Sequence, residues 1–252
     1  MSGASSYRNF SYPLNVFMHI LSREEATVRY LHYGLFESGD EPIAEAQERS
    51  TEMLLERLPP PPARLLDVGV GLATTLARLT RSGHDAEGIT PDEHQIATIR
   101  ERYGDELRVS CAKFESFDGR PPYEAVFFQE SSQYIDSNAL FAAASAITGH
   151  IVVIDEFASR PLGTPGALHD LGTFLAAAEQ HGFAKTEEID LSRHAAPTID
   201  YVASRIAQYR DDLIADLGLS LAQIDSLVES GDLYREMYRT GAYVYRLLQF
   251  RR

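Results

Sequence analysis

The 252-residue sequence has a single cysteine, Cys111. A disulfide within the chain is therefore excluded, as is a metal site built from several thiolates. Positive charge is also scarce: 23 Lys and Arg stand against 37 Asp and Glu, a net charge of −14. A field of that sign repels phosphate backbones and anionic lipid surfaces, and no basic run offsets it. Neither nucleic acid nor a membrane is the expected partner. No uninterrupted apolar run has the length of a membrane span. The apolar patch at residues 14–21 contains Asn15 and His19 and precedes no small-residue cleavage signal, so it reads as a helix or a lid. These absences point to a reducing, soluble compartment, the cytoplasm. Paired His, Asp and Glu residues at the spacing typical of a closed metal site are missing too. His32, His169 and His194 lie far apart, so metal-independent chemistry is expected.

What is present is ordinary for a globular chain: 44% hydrophobic and 24% charged residues. The segment to about residue 63 is expected to be helical, with Met53, Leu54 and Leu58 on one stripe before the prolines at 59–62 stop it. From Arg64 the pattern alternates. Strands are expected at 64–68, 86–90, 108–111, 123–128, 151–155 and 186–191, and helices at 74–81, 91–103, 138–147 and 168–180. Such alternation specifies a parallel sheet with helices on both faces. Beyond it, Ile199, Val202, Ile206, Tyr209 and Leu213 recur at helical spacing, and Ser220 with Gln223 forms a capping box before a further helix. Residues 242–250 read as a last strand. The expected architecture is α/β and doubly wound, with about seven strands. An N-terminal helical lid spans 1–62, and a domain at 63–252 carries a helical insertion at 197–238.

The most informative stretch joins strand to helix through Asp67, Val68, Gly69, Val70 and Gly71. Glycines there let the backbone turn tightly and approach a ligand. A dinucleotide fingerprint would be Gly-x-Gly-x-x-Gly, but Thr74 stands at the third glycine and no acid ends the second strand. The acid two residues before the first glycine can accept hydrogen bonds from a ligand ammonium or anchor the loop. A tight turn with no ligand is the plain alternative.

This loop resembles motif I of class I S-adenosylmethionine-dependent methyltransferases, with Ala73 where many members have glycine. The stretch Gly88-Ile89-Thr90-Pro91-Asp92-Glu93-His94-Gln95 is similar to one in methyltransferases akin to cyclopropane fatty acid synthases, and Cys111-Ala112-Lys113-Phe114-Glu115 resembles the segment that flanks the adenine there. The resemblance implies a Rossmann-like fold, S-adenosylmethionine as cofactor and a small-molecule acceptor, a metabolite or natural product. It assigns the cofactor to Asp67, Gly69, Gly71, Thr90, Gln95, Lys113, Phe114 and Gln129. Thr90 and Gln95 take the place of the usual ribose-binding acid. Leu31-His32-Tyr33-Gly34 looks like a stretch opening several small-molecule methyltransferases, which implies that Tyr33 lies over the methionine end. Thr90 as a helix cap, Phe114 as core and Tyr33 as core are the competing assignments, and Cys111 reads as a buried apolar residue.

Methyl transfer is an in-line displacement that needs an aligned nucleophile and, where that nucleophile is protonated, a base. Glu130 and His194 are the candidate bases. Tyr134, Glu156 and Tyr201 are candidates for holding the acceptor, and tyrosines of the N-terminal part and the insertion suit a closing lid or a homodimer contact. Gln133 falls where the resemblance implies a bicarbonate-holding glutamate, and no cysteine lies near the C-terminus, so alkene cyclopropanation is not expected. A nicotinamide-dependent oxidoreductase and a non-catalytic S-adenosylmethionine-binding protein are the rival functions. The acceptor atom is left open among O, N, C and S.

Overall fold

The computed structural model describes residues 6–161 and 168–252. In chain order its main elements are α1 (Leu14–Glu24), α2 (Ile43–Leu55), β1 (Arg64–Val68), α3 (Thr74–Arg81), β2 (Asp85–Thr90), α4 (Glu93–Tyr103), β3 (Arg108–Cys111) and β4 (Ala125–Gln129). There follow α5 (Ser137–Ile147), β5 (His150–Ala158), α6 (Leu171–Gln180), β6 (Ala184–Asp190), α7 (Ser192–Ala195), α8 (Pro197–Gln208), α9 (Arg210–Leu217), α10 (Leu221–Arg239) and β7 (Tyr243–Arg251). Among the described residues, seven strands form one sheet in the order β3-β2-β1-β4-β5-β7-β6. The first five are parallel where they pair, and β7 runs antiparallel between β5 and β6. The expected α/β class and strand number hold. The reversed direction of β7 is new: a parallel strand needs a crossover back to the starting edge, and an antiparallel one does not.

Period-two alternation explains how the sheet is buried. Leu66, Val68, Val126, Phe128, Ile151 and Val153 share a core with Leu140, Phe141 and Ala144 of α5 and Phe174, Ala177 and Ala178 of α6. The Phe141 ring meets Phe174 and Phe250 edge to face, at centroid distances of 4.9 and 5.4 Å. The alternate residues Leu65, Phe127, Val152, Ile154 and Leu247 are also fully buried, so the second face is covered as well. There the Gln129 amide accepts from Thr75 of α3 at 3.3 Å and donates to Thr51 of α2 at 3.2 Å.

The chain forms two compact units: Met1–Arg49 with Arg193–Gly241, and Ser50–Ser192 with Ala242–Arg252. The second holds the sheet. The first is helical, and its core gathers Val16 and Ile20 of α1 with Ile206 of α8, Leu213 of α9, Leu219, and Ile224 of α10. The expected capping box is present: Ser220 accepts from the Gln223 amide, and the Gln223 side chain accepts from the Ser220 N–H at 3.0 Å.

Several expectations are corrected. The first 63 residues are not continuously helical. Residues 25–42 are irregular, and the Glu41 carboxylate holds a turn by accepting from the backbone N–H groups of Ser38 and Gly39. The stripe from Ile199 to Leu213 is two helices, because Tyr209 is the boundary of both α8 and α9. Asp92, not Thr90, caps α4 by accepting from His94 and Gln95. Residues 168–170 precede α6, with Asp170 as its cap. Cys111 is exposed on the edge strand β3 and not buried. Residues 1–5 of the expected lid lie outside the described residues.

Candidate active site

The carboxyl ends of β1 and β4 lie side by side, with β2 beyond one and β5 beyond the other. The chain turns outward in opposite directions from this pair, which makes it the switch point where open α/β sheets bind ligands. β1 delivers Asp67 there, and Gly69 and Gly71 follow at φ +80° and +54°. A Cβ built on Gly69 falls 2.2 Å from the Ser131 Cβ. The loop after β4 is therefore pressed onto the glycine, and the Ser131 hydroxyl donates to the Val68 carbonyl. The glycine is required by the fold itself, a reason the sequence motif does not reveal. Ala73 also sits at positive φ, +60°, a conformation that costs a residue with a Cβ about 1–2 kcal/mol.

Asp67 is a buried acid near the end of β1. It is 4% exposed, and no partner reaches its carboxylate among the described residues. Burial alone pushes its pKa up to about 8. Such a group is stabilised by a hydrogen-bond donor or a cation brought from outside.

The end of β2 places Thr90, which is buried and donates to the Gln95 amide oxygen at 2.9 Å. The two residues act as a pair, with the Gln95 amide nitrogen left to donate elsewhere. After β3, Lys113 is exposed. The Phe114 ring lies in the apolar core, edge-on to Phe128 at 5.3 Å and 89°. Its packing is that of a core residue. At the end of β4, Gln129 bridges α2 and α3 as described above.

Glu130 follows in the left-handed region, at φ +53°. Its carboxylate accepts from the Tyr245 hydroxyl at 2.5 Å. Tyr245 is fully buried on β7 opposite Glu156 of β5, and burial followed by the Glu130 charge raises its pKa well above the ordinary range, so it remains a donor. A non-glycine residue at positive φ with a short hydrogen bond to its carboxylate is held in one pose. Glu156 itself is buried on the same face. Its neighbour Asp155 points to the opposite face and accepts from the Ser132 N–H at 2.9 Å and the Ser132 hydroxyl at 2.6 Å. Asp155 thereby pins the loop that carries Tyr134, whose ring is 83% exposed.

Of the expected site residues, Asp67, Gly69, Gly71, Thr90, Gln95, Lys113, Phe114, Gln129, Glu130, Tyr134 and Glu156 belong to the sheet unit. Tyr33, His194 and Tyr201 belong to the helical unit. Within it, the Tyr33 carbonyl bonds the His32 ring at 2.9 Å. His194 bonds the Phe36 carbonyl through Nδ1 at 2.7 Å, while its own carbonyl accepts from the Phe36 N–H at 2.8 Å. That reciprocal pair clips two distant segments together and leaves Nε2 as the nitrogen for other work. The Tyr201 ring lies 5.1 Å beneath the Arg205 guanidinium, and burial, with the nearby Glu24 carboxylate, moves its pKa up to about 12. Sequence reasoning missed Ser131, Tyr245 and the loop-pinning role of Asp155. Tyr245 is 115 positions from Glu130, and no local pattern links them. Among the described residues, no group of three or more His, Cys, Asp or Glu converges as metal ligands.

No protein-family profile matches the chain. It is 25% identical to Methyltransferase GfsG of Streptomyces halstedii over 86% of this chain and 85% of that one. Among solved structures it resembles the cyclopropane synthase MmaA2 of Mycobacterium tuberculosis, with a TM-score of 0.80, 19% identity, and coverage of 99% and 97%. It also resembles geranyl diphosphate C-methyltransferase of Streptomyces coelicolor A3(2), solved with Mg2+, geranyl-S-thiolodiphosphate and S-adenosyl-L-homocysteine. There the TM-score is 0.71 at 18% identity, over 99% and 96% of the two chains. At those identities the two structures establish the shared fold.

Proposed function

We propose that this chain is an S-adenosylmethionine-dependent methyltransferase acting on a small molecule, with Asp67 as the observation that carries the assignment. A buried carboxylate with no partner, beside a loop at positive φ on the switch point of the sheet, fits the ammonium of the cofactor's amino-acid half. The cofactor would supply an electrophilic methyl group, which bonds to the acceptor's nucleophile in line as its bond to sulfur breaks and S-adenosylhomocysteine leaves. Asp67 accepts hydrogen bonds from the ammonium and becomes ionised as it does so. The Thr90–Gln95 pair offers the ribose hydroxyls an amide, and the backbone around Lys113 borders the adenine. Glu130, fixed by Tyr245, is the candidate to take a proton from the acceptor. Tyr33 keeps its assignment to the methionine end of the cofactor, His194 is the second candidate base, and Tyr134, Glu156 and Tyr201 are candidates for holding the acceptor, a metabolite or natural product. The methyltransferase relative from Streptomyces supports that choice of chemistry, and the absence of a third glycine disfavours the nicotinamide alternative.

Thermal denaturation tests the assignment. S-adenosylhomocysteine and S-adenosylmethionine raise the melting temperature of the wild type and NAD does not, because only a ligand of the native state stabilises it. Stabilisation by NAD with none from S-adenosylhomocysteine overturns the proposal.

A further inference from the structure

The loop after β4 is fastened at two successive residues, and Glu130 lies at the junction. The first fastening is the sheet: the Glu130 N–H donates to the Ile154 carbonyl of β5 at 2.9 Å, just beyond the paired residues of the two strands. The second is Ser131, which is buried. Its hydroxyl donates to the Val68 carbonyl. A Cβ built on Gly69 would stand 2.8 Å from the Ser131 Oγ and 3.6 Å from its Cα, so backbone and side chain of Ser131 both rest on the glycine turn. One residue must carry the chain from the ladder to that turn. Glu130 does so at φ +53°, a conformation that residues with a Cβ avoid unless their surroundings hold them in it. In that pose its carboxylate accepts from the buried Tyr245 hydroxyl at 2.5 Å. The next residue is held elsewhere: the Ser132 N–H and hydroxyl both donate to Asp155 of β5.

We infer that Ser131 is a positioning residue: by fastening the chain to the Val68–Gly69 turn, it holds Glu130 in its left-handed pose with the carboxylate against Tyr245. The turn assigned to the cofactor and the group assigned to the proton then move as one piece. The role of Glu130 as a base rests on the proposed function; the control of its pose by Ser131 does not.

The Glu130 carboxyl carbon reports that pose. It can be followed by NMR in ligand-free protein carrying isotope-labelled glutamate, with its signal identified through Glu130→Gln. A hydrogen bond donated to a carboxylate favours the ionised form, so losing the Tyr245 bond raises the midpoint of the titration. Ser131→Ala keeps the Cβ over Gly69 and removes only the hydroxyl. It is expected to raise the Glu130 midpoint by about one pH unit. Ser132→Ala deletes a hydroxyl one residue further on and is expected to leave the midpoint at its wild-type value. Ser131→Cys, of similar shape and a weaker donor, is expected to raise it by less, and carries the comparison alone should alanine prevent folding. An unchanged midpoint in the Ser131 variants overturns the inference. An equal rise in Ser132→Ala overturns it as well, since general loosening of the loop then explains the effect. Melting of the wild type with S-adenosylhomocysteine serves as the control: no stabilisation counts against the proposed function and leaves the titration comparison intact.

Discussion

At Asp67, burial and the lack of a partner act in the same direction. The acid titrates near 3.8 when unfolded and near 8 when folded, so between those values the folded state holds a proton that the unfolded state has lost. The stability it contributes is fully present below the unfolded value and is lost as pH rises through about 8. The melting temperature of Asp67→Asn relative to wild type should therefore increase from pH 5 to pH 8 in the absence of ligand; a difference that stays flat refutes the burial account. Gly69 carries a different prediction. Gly69→Ala combines a positive φ with a Cβ placed 2.2 Å from Ser131, and it should cost about 2–3 kcal/mol in denaturant unfolding with no ligand present. A loss of cofactor affinity in such a variant reports loop damage first, which makes Asp67 the cleaner probe. The acid and glycines of this loop were legible because they are contiguous in sequence. Ser131 and Tyr245 were not, since one follows β4 and the other lies on β7, strands whose places are set by sheet order, and a hydrogen bond across 115 positions leaves no local trace.

The alternation of apolar runs located the strands to within a few residues, because a sheet buried on both faces demands continuous apolar stretches. Irregular connections and helix limits were less legible. Pro91 suggested a helix start, but side-chain oxygens decide the cap: Asp92 bonds two amides of the first turn of α4, while the Thr90 hydroxyl donates to Gln95 and accepts from the Asp92 N–H ahead of the helix. Asp92→Ala should accordingly cost on the order of 1 kcal/mol and lower the melting temperature by about 2–4 °C. An unchanged melting temperature would show that α4 is held by its packing alone. The break between α8 and α9 escaped the pattern because the apolar spacing continues through Tyr209 while the backbone does not. The direction of β7 escaped it for a related reason, since alternation records burial and not polarity of the strand.

Over the whole molecule, the sheet unit carries the residues assigned to the cofactor apart from Tyr33, and the helical unit carries Tyr33, His194 and Tyr201. The two segments of the helical unit, Met1–Arg49 and Arg193–Gly241, are separated by most of the sheet sequence, so periodicity could identify their helices but not their common core. Asp67 is proposed to receive the ammonium of an S-adenosyl cofactor. Titration calorimetry with S-adenosylhomocysteine at pH 7, in two buffers of different ionisation enthalpy, tests it most directly. Wild-type binding is expected to release a proton, because Asp67 passes from neutral to ionised. Asp67→Asn is expected to bind at least tenfold more weakly and to lose this proton release. Equal affinity for the two proteins, with the same proton release, would contradict it.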